Sequence, residues 1–268
     1  MHHQIDSLAY TNRLRYLPPT HKLGFAATLF VLGYAAPPLA QVAIALWLAV
    51  WIVGYAQIPA HIYARLLLLP ISFWLMGVPA LLLGFGLVPN LGSFQADVWQ
   101  GWAVGPVYIY LSRQGWQQAS EVLMRAIALT SCLYFMLLTV PFVEILRVLR
   151  QLRCPSLMIE LLALMYRFIF MLAATATELA TAQRSRGGYL TWRRRLRSLG
   201  IIVSQLIVRT LETYRELSLG LQSRGFTGEL RVWHQRRHKP SWRYGIEAIA
   251  GCLVLTLVTV MHHAPDWH

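Results

Sequence analysis

Up to about residue 142 the chain alternates long apolar runs with short polar breaks; beyond it, arginine-rich segments follow the helical period instead. The first apolar run starts at Leu23 and meets Pro37-Pro38, a turn signal. A second, about Leu39 to Ala56, returns to a short segment with Pro59, His61 and Arg65. A third goes from Leu66 to about Val88, with Pro70 and Pro79 as tolerated kinks. A fourth covers about Ala126 to Val140 and ends at Pro141, and the last covers about Tyr244 to Met261. Such runs approach or reach the roughly 20 residues that cross a bilayer core. Residues 89–121 differ: they are rich in Gly and aromatics, including Asp97, Trp99, Trp102, Tyr108, Tyr110 and Trp116. They read as an external loop with interfacial aromatics and room for a re-entrant or surface helix.

Three amphipathic segments follow Pro141. In 143–153, Ile145, Val148, Leu149 and Leu152 keep the i, i+3, i+4, i+7 spacing, with Arg147, Arg150 and Arg153 on the other side. Residues 155–184 read as one apolar helix carrying Glu160, Arg167 and Glu178. At 100° per residue these three fall within about 20° of one azimuth, a polar stripe that faces protein or water rather than lipid. Glu160 and Arg167 stand about 10 Å apart by helix rise, so neighbouring helices supply their partners. The pattern leaves open whether this helix crosses the membrane or lies along it. In 196–222 an apolar face alternates with Arg209, Glu212, Arg215 and Glu216, spaced for i, i+3 and i, i+4 pairs.

The fold class is therefore an all-α polytopic membrane protein, with five or six transmembrane helices and long amphipathic cytoplasmic helices. Residues 1–142 form the N-terminal transmembrane helices, 143–243 a basic helical region, and 244–268 the last span and tail.

Composition agrees. The 268 residues are 56% hydrophobic and 13% charged, with mean hydropathy +0.47, against roughly 25% charged in a soluble domain. Residues 147–243 hold 18 of the 24 Lys+Arg but 5 of the 11 Asp+Glu, so the whole net charge of +13 sits there. The positive-inside rule puts this window in the cytoplasm of a cell-membrane protein. A basic surface also suits anionic lipid, RNA or an acidic protein. Cys132 and Cys252 lie in apolar runs, Cys154 precedes Pro155, and an odd count gives no disulfide framework. The first 22 residues are polar and mixed, unlike a cleavable signal peptide.

Within the basic window one tripeptide recurs, Ser185-Arg186-Gly187 and Ser223-Arg224-Gly225, its arginines 38 residues apart. Each copy closes a helix-patterned stretch. An Arg in the last turn followed by Gly gives a helix end that projects a cation and stops sharply.

These residues resemble the transmembrane T component of energy-coupling factor transporters, in particular the cobalt-type, CbiQ-like branch. The resemblance rests on Ile5-Asp6, Ala9-Tyr10, Arg13-Leu14-Arg15, Pro19 and Lys22-Leu23 at the start. It continues through Arg125-Ala126, Pro141-Phe142-Val143-Glu144-Ile145-Leu146, Leu149-Arg150, Pro155 and Tyr166-Arg167-Phe168-Ile169 to the two Ser-Arg-Gly copies. The family's signature is a pair of Ala-Arg-Gly motifs at the ends of coupling helices, so both copies depart from it by Ser in first place. The resemblance implies that Ser185, Arg186, Gly187, Ser223, Arg224 and Gly225 dock two ABC-type ATPase subunits. It implies a further partner, a substrate-capturing transmembrane subunit, with a small accessory membrane subunit as an option. Arg147, Arg150, Glu160, Arg167 and Glu178 become coupling or structural polar residues of the same device. No cofactor is expected in this chain; ATP and Mg belong to the partner ATPases, and nucleic acid is not among the partners.

Other chemistry is thinly supported. Arg193-Arg194-Arg195 with Arg197, and His234, Arg236, Arg237, His238 and Lys239, read as headgroup anchors or partner surface. The adjacent pairs His2-His3 and His262-His263 lack a third ligand at sensible spacing, so no metal site is assigned. No catalytic motif is present, and no catalytic residue is assigned: the chain reads as a non-enzymatic transporter subunit. The first three spans carry almost no mid-membrane polar residues, which disfavours a stand-alone channel or carrier. The alternative of a different class is a membrane-anchored basic module that recruits an acidic partner or anionic lipid without transport.

Overall fold

A computed structural model describes residues 8–87, 98–104, 107–225 and 242–263. The chain divides into two compact units, Met1–Pro141 with Arg237–His268, and Phe142–Arg236.

The first unit is a helical bundle. Helix α1 (Pro19–Ala35) and helix α2 (Pro38–Ala49) both start on proline, whose fixed φ and missing N–H suit the first helical turn. The turn between them is closed by Gln41, buried in the bundle, whose Nε2 donates to the carbonyls of Gly33 and Ala36 at 3.1 and 3.0 Å. A π-helical turn, Val50–Tyr55, extends α2. Helix α3 (Ala60–Leu82) contains Pro70 and Pro79, and helix α4 (Arg113–Thr139) is the element on which α1, α2 and α3 all pack. Helix α8 (Trp242–His263) packs on α1 and α2. The core centres on Phe25, whose ring lies 5.4, 5.1 and 5.5 Å from those of Trp47, Trp51 and Phe135. Edge-to-face geometry dominates this cluster, as the aromatic quadrupole favours. Tyr63 and Ser131 share a buried hydrogen bond of 2.9 Å, and Tyr134 donates to the Leu66 carbonyl at 3.0 Å, so α3 is tied to α4 at two levels.

The region read as an external loop is built differently. Helix α3 ends at Leu82, six residues before the expected limit, because Gly84 and Gly86 weaken the helix there. A three-stranded antiparallel sheet follows, β1 (Leu83–Leu87), β2 (Val98–Val104) and β3 (Val107–Ser112), in the order β1-β3-β2. The β-branched and aromatic content of Val107-Tyr108-Ile109-Tyr110 favours a strand over the surface helix considered above. Helix α4 also starts earlier than Ala126: Ser112 caps it by accepting from the Gly115 N–H at 2.9 Å, so Trp116 and Glu121 are helical.

The second unit holds α5 (Phe142–Gln151), α6 (Ser156–Ser185) and α7 (Trp192–Ser223). Five helical stretches are long and apolar enough to cross a membrane: Pro38–Tyr55, Ala60–Leu82, Arg113–Thr139, Ser156–Ser185 and Trp242–Met261. At 17 residues, α1 stands at the bottom of the spanning range. The protein is an all-α polytopic membrane protein.

Candidate functional site

Helix α6 ends at Ser185, with Arg186 at its C-cap (φ −88°, ψ 10°) and Gly187 in the left-handed region at φ +71°. The Gly187 N–H donates to the Arg184 carbonyl at 3.0 Å and the Gly188 N–H to that of Gln183 at 2.9 Å, so two of the free carbonyls of the last turn are satisfied. Ser185 Oγ donates back to the Ala182 carbonyl at 2.9 Å. The linker to α7 is pinned at both ends. Buried Ser198 Oγ donates to the Gly188 carbonyl at 3.1 Å, and Arg195 Nε to that of Tyr189 at 3.1 Å. Arg184 lies over the Tyr189 ring, 5.7 Å from its centroid.

The far end of α7 repeats this geometry. Arg224 is the C-cap (φ −95°, ψ 10°), Gly225 is left-handed at φ +70°, and Ser223 Oγ donates to the Gly220 carbonyl at 3.0 Å. The Arg224 and Gly225 N–H groups donate to the carbonyls of Leu221 and Gln222 at 3.1 and 3.0 Å. Two segments that share three residues thus share one backbone conformation, and both arginines are exposed. The serines act as local caps, each returning its hydroxyl to the carbonyl three residues back. At 1.5 Å per residue the 32 residues of α7 make a rod of about 48 Å. One arginine end sits just before the rod and the other at its tip.

Arg193, Arg194, Arg195 and Arg197 occupy the first two turns of α7 and are exposed, and no acidic residue accompanies them in the first turn. Cations there oppose the helix dipole, so they cost helix stability rather than add to it. His234, Arg236, Arg237, His238 and Lys239, like His2-His3, lie outside the described residues, and His262-His263 closes α8.

The polar stripe of α6 splits between two neighbours. Glu160 and Arg167 line a cavity of about 490 Å³ together with Arg147 and Arg150 of α5, so four of the five polar residues singled out converge there. Tyr166 in its wall stacks on Phe142, ring centroids 4.5 Å apart. Glu178, the fifth, stands 3.8 Å from Arg209 of α7 instead. Arg209 therefore finds its carboxylate on the adjacent helix rather than at Glu212, because α6 and α7 pack side by side.

Two buried polar residues of the first unit were given no individual role from the sequence. Lys22, at the end of the polar and mixed N-terminal stretch, is 4% exposed and donates to the Thr139 carbonyl at 3.1 Å. Asn12, 5% exposed, donates from Nδ2 to the carbonyls of Ala9 and Leu138 at 2.9 and 3.1 Å. Together they hold the carbonyl end of α4, where a helix welcomes donors and cations. The available hint was a lone cation, Lys22, one turn into an apolar helix.

The membrane-length helices define a multi-pass membrane protein, and its helical second unit carries the two matched arginine ends. The chain belongs to the CbiQ family: the family model described as cobalt transport protein matches residues 11–234. It is 34% identical over 237 residues to the cobalt transport protein CbiQ of Rhodobacter capsulatus, covering 87% of this chain and 88% of that one. It is 25% identical over 231 residues to the cobalt transport protein CbiQ of Salmonella typhimurium, covering 85% of this chain and 99% of the other. A longer chain of Methanocorpusculum labreanum, named as a fused cobalt transport protein CbiMQ, is 29% identical over 240 residues, 88% of this chain and 38% of that one.

Proposed function

We propose that this chain is the membrane coupling subunit of an ATP-driven cobalt importer of the energy-coupling factor type. In this reading Arg186 and Arg224 dock two ABC-type ATPase subunits, and α6 and α7 pass the motion of ATP-driven closure to a separate substrate-capturing membrane subunit. The observation that carries it is the matched pair of helix ends, each an exposed Arg at the C-cap followed by a left-handed Gly. A guanidinium presents a planar fork to carboxylates or backbone carbonyls, which an ammonium does not reproduce. The Gly, left-handed at both ends, lets the chain leave the helix direction directly after the arginine. The name of the fused relative, joining CbiM and CbiQ in one chain, supports a membrane partner of that kind.

The arginine ends belong in the cytoplasm. From a cytoplasmic N-terminus, α1 to α4 return the chain to that side at Pro141. If α6 crossed the membrane, Arg186 and Arg193–Arg197 would lie outside, against the positive-inside rule. With α6 along the surface the rule holds, and Glu160, Arg167 and Glu178 avoid the hydrocarbon. ATP hydrolysis takes place in the partner chains. The exposed cations at the start of α7 favour one competing reading, a basic module that recruits an acidic partner or anionic lipid without transport.

The test is affinity purification from detergent-solubilised membranes of cells that hold the native transport genes, with co-purifying proteins identified. Wild type should bring down an ABC ATPase and a small polytopic subunit; the Arg186→Glu/Arg224→Glu variant should lose the ATPase alone. If wild type retains no ATPase, the coupling reading falls. If Lys at both positions supports full cobalt uptake, specific arginine docking falls and a charge-based surface takes its place.

A further inference from the structure

We propose that the cavity between α5 and α6 is a binding site for one anionic phospholipid, its phosphate held by Arg150 and Arg167 and its glycerol and upper acyl chains in the apolar floor. The two helices line it from opposite sides. From α5 come Leu146, Arg147 and Arg150; from α6 come Ile159, Ala163 and Arg167. The cavity of about 490 Å³ thus has an aliphatic floor and a cationic rim, the size and mixed lining of a small-ligand site. Three guanidiniums against the single carboxylate of Glu160 leave a net charge of +2 around one space. Arg150 and Arg167 are solvent-exposed, so their forks are open to a ligand.

Charge and polarity together select the occupant. A free phosphate would use the rim and leave the floor wet; a neutral lipid would use the floor and leave two cations unmatched. An anionic phospholipid satisfies both, and basic pockets beside membrane helices favour such headgroups. Helix α6 is apolar enough to meet the bilayer, so the ligand is at hand. A lipid there would brace α5 against α6, and α6 leads without interruption to Arg186. The proposal needs only a membrane location, so it stands or falls apart from the ATPase-docking reading.

The experiment is a titration of the full-length purified protein, stripped of lipid in a neutral detergent, with dioctanoyl phosphatidylglycerol, dioctanoyl phosphatidylcholine or inorganic phosphate. Binding is read by native mass spectrometry. Wild type should take one phosphatidylglycerol, at least about tenfold more tightly than phosphatidylcholine or phosphate. Arg150→Gln/Arg167→Gln should lose this preference, whereas Arg65→Gln/Arg113→Gln, which removes the same charge from two exposed positions of the first unit, should keep it. Ala163→Trp fills the floor and leaves every arginine in place; it should also abolish binding, so the site is tested even if the double variant misfolds. Glu160→Gln should tighten binding several-fold. Equal losses in the two double variants, or undiminished binding by Ala163→Trp, would overturn the site. Binding of phosphate as tight as that of the lipid would show an anion site without a lipid.

Discussion

The ammonium of Lys22, at the start of α1, donates to the carbonyl of Thr139, at the end of α4, across 3.1 Å and 117 residues of sequence. A cation on the last carbonyls of a helix is favourably placed against its dipole, and burial shields the contact from water. The same helix end receives Asn12 at the Leu138 carbonyl, so one N-terminal stretch fixes where the central helix of the bundle stops.

Replacing Lys22 by Met keeps the volume and removes the donor. Lys22→Met should destabilise the first unit by about 2 kcal/mol, read as a lower melting temperature in detergent by intrinsic tryptophan fluorescence. Lys22→Arg should fall between the two. A melting temperature unchanged in the Met variant would mean the contact carries no net stability.

Gly225 has open space where a Cβ would stand, but its φ of +70° penalises every L side chain. Gly225→Ala should cost about 1 kcal/mol at this helix end, and Gly225→Asn less. At Gly187 the same strain is joined by Leu190 Cδ1 at 3.1 Å from the added atom, so Gly187→Ala should cost more. Hydrogen exchange at the N–H groups of residues 187 and 188 measures the fraying directly. Equal protection in variant and wild type would contradict the strain argument.

A Cβ on Gly251 would sit 1.8 Å from Cη2 of Trp47, which seats α8 on α2. Gly251→Ala should therefore force the indole aside and destabilise by about 1–3 kcal/mol. Trp47→Phe, which shortens the ring, should restore part of that loss in the double variant. Additive melting shifts would show that the two positions do not touch.

Arg153 is a non-glycine residue at φ 62°, closing α5 with the Cys154 N–H on the Leu149 carbonyl at 3.1 Å. Arg153→Gly should relieve about 1 kcal/mol of strain and raise the melting temperature by about 2–4 °C. Arg153→Val should lower it, since a β-branched residue tolerates this conformation worst.

The ion pair between Glu178 and Arg209 has both side chains at least half exposed at 3.8 Å. Glu178→Gln should change stability by no more than about 0.5 kcal/mol, and salt should erase even that. A larger, salt-resistant loss would mean that the pair is shielded in the working assembly.

Much of this molecule is written locally. Apolar run length places α1, α2 and α8 to within a few residues and α3 to within six, because a helix that meets lipid must satisfy its own backbone and present apolar side chains throughout. The arginine helix ends are equally local: Arg followed by Gly sets a C-cap and a left-handed turn with no help from elsewhere in the chain. Where local signals compete, the pattern misleads. Val107 to Ser112 is apolar enough for a surface helix, but its β-branched and aromatic content and its pairing with β1 and β2 make it a strand.

The sequence by itself determined a polytopic helical protein with its net charge on one region and a repeated arginine motif at helix ends, since hydropathy, periodicity and capping act within a few turns. Only the tertiary structure decided which polar residues meet. It buried Lys22 and Asn12 at the end of α4, gathered Arg147, Arg150, Glu160 and Arg167 around one cavity, and sent Glu178 to Arg209. The reason is physical: a helix fixes the azimuth of a charge but not its neighbour, which is set by the helices that pack against it.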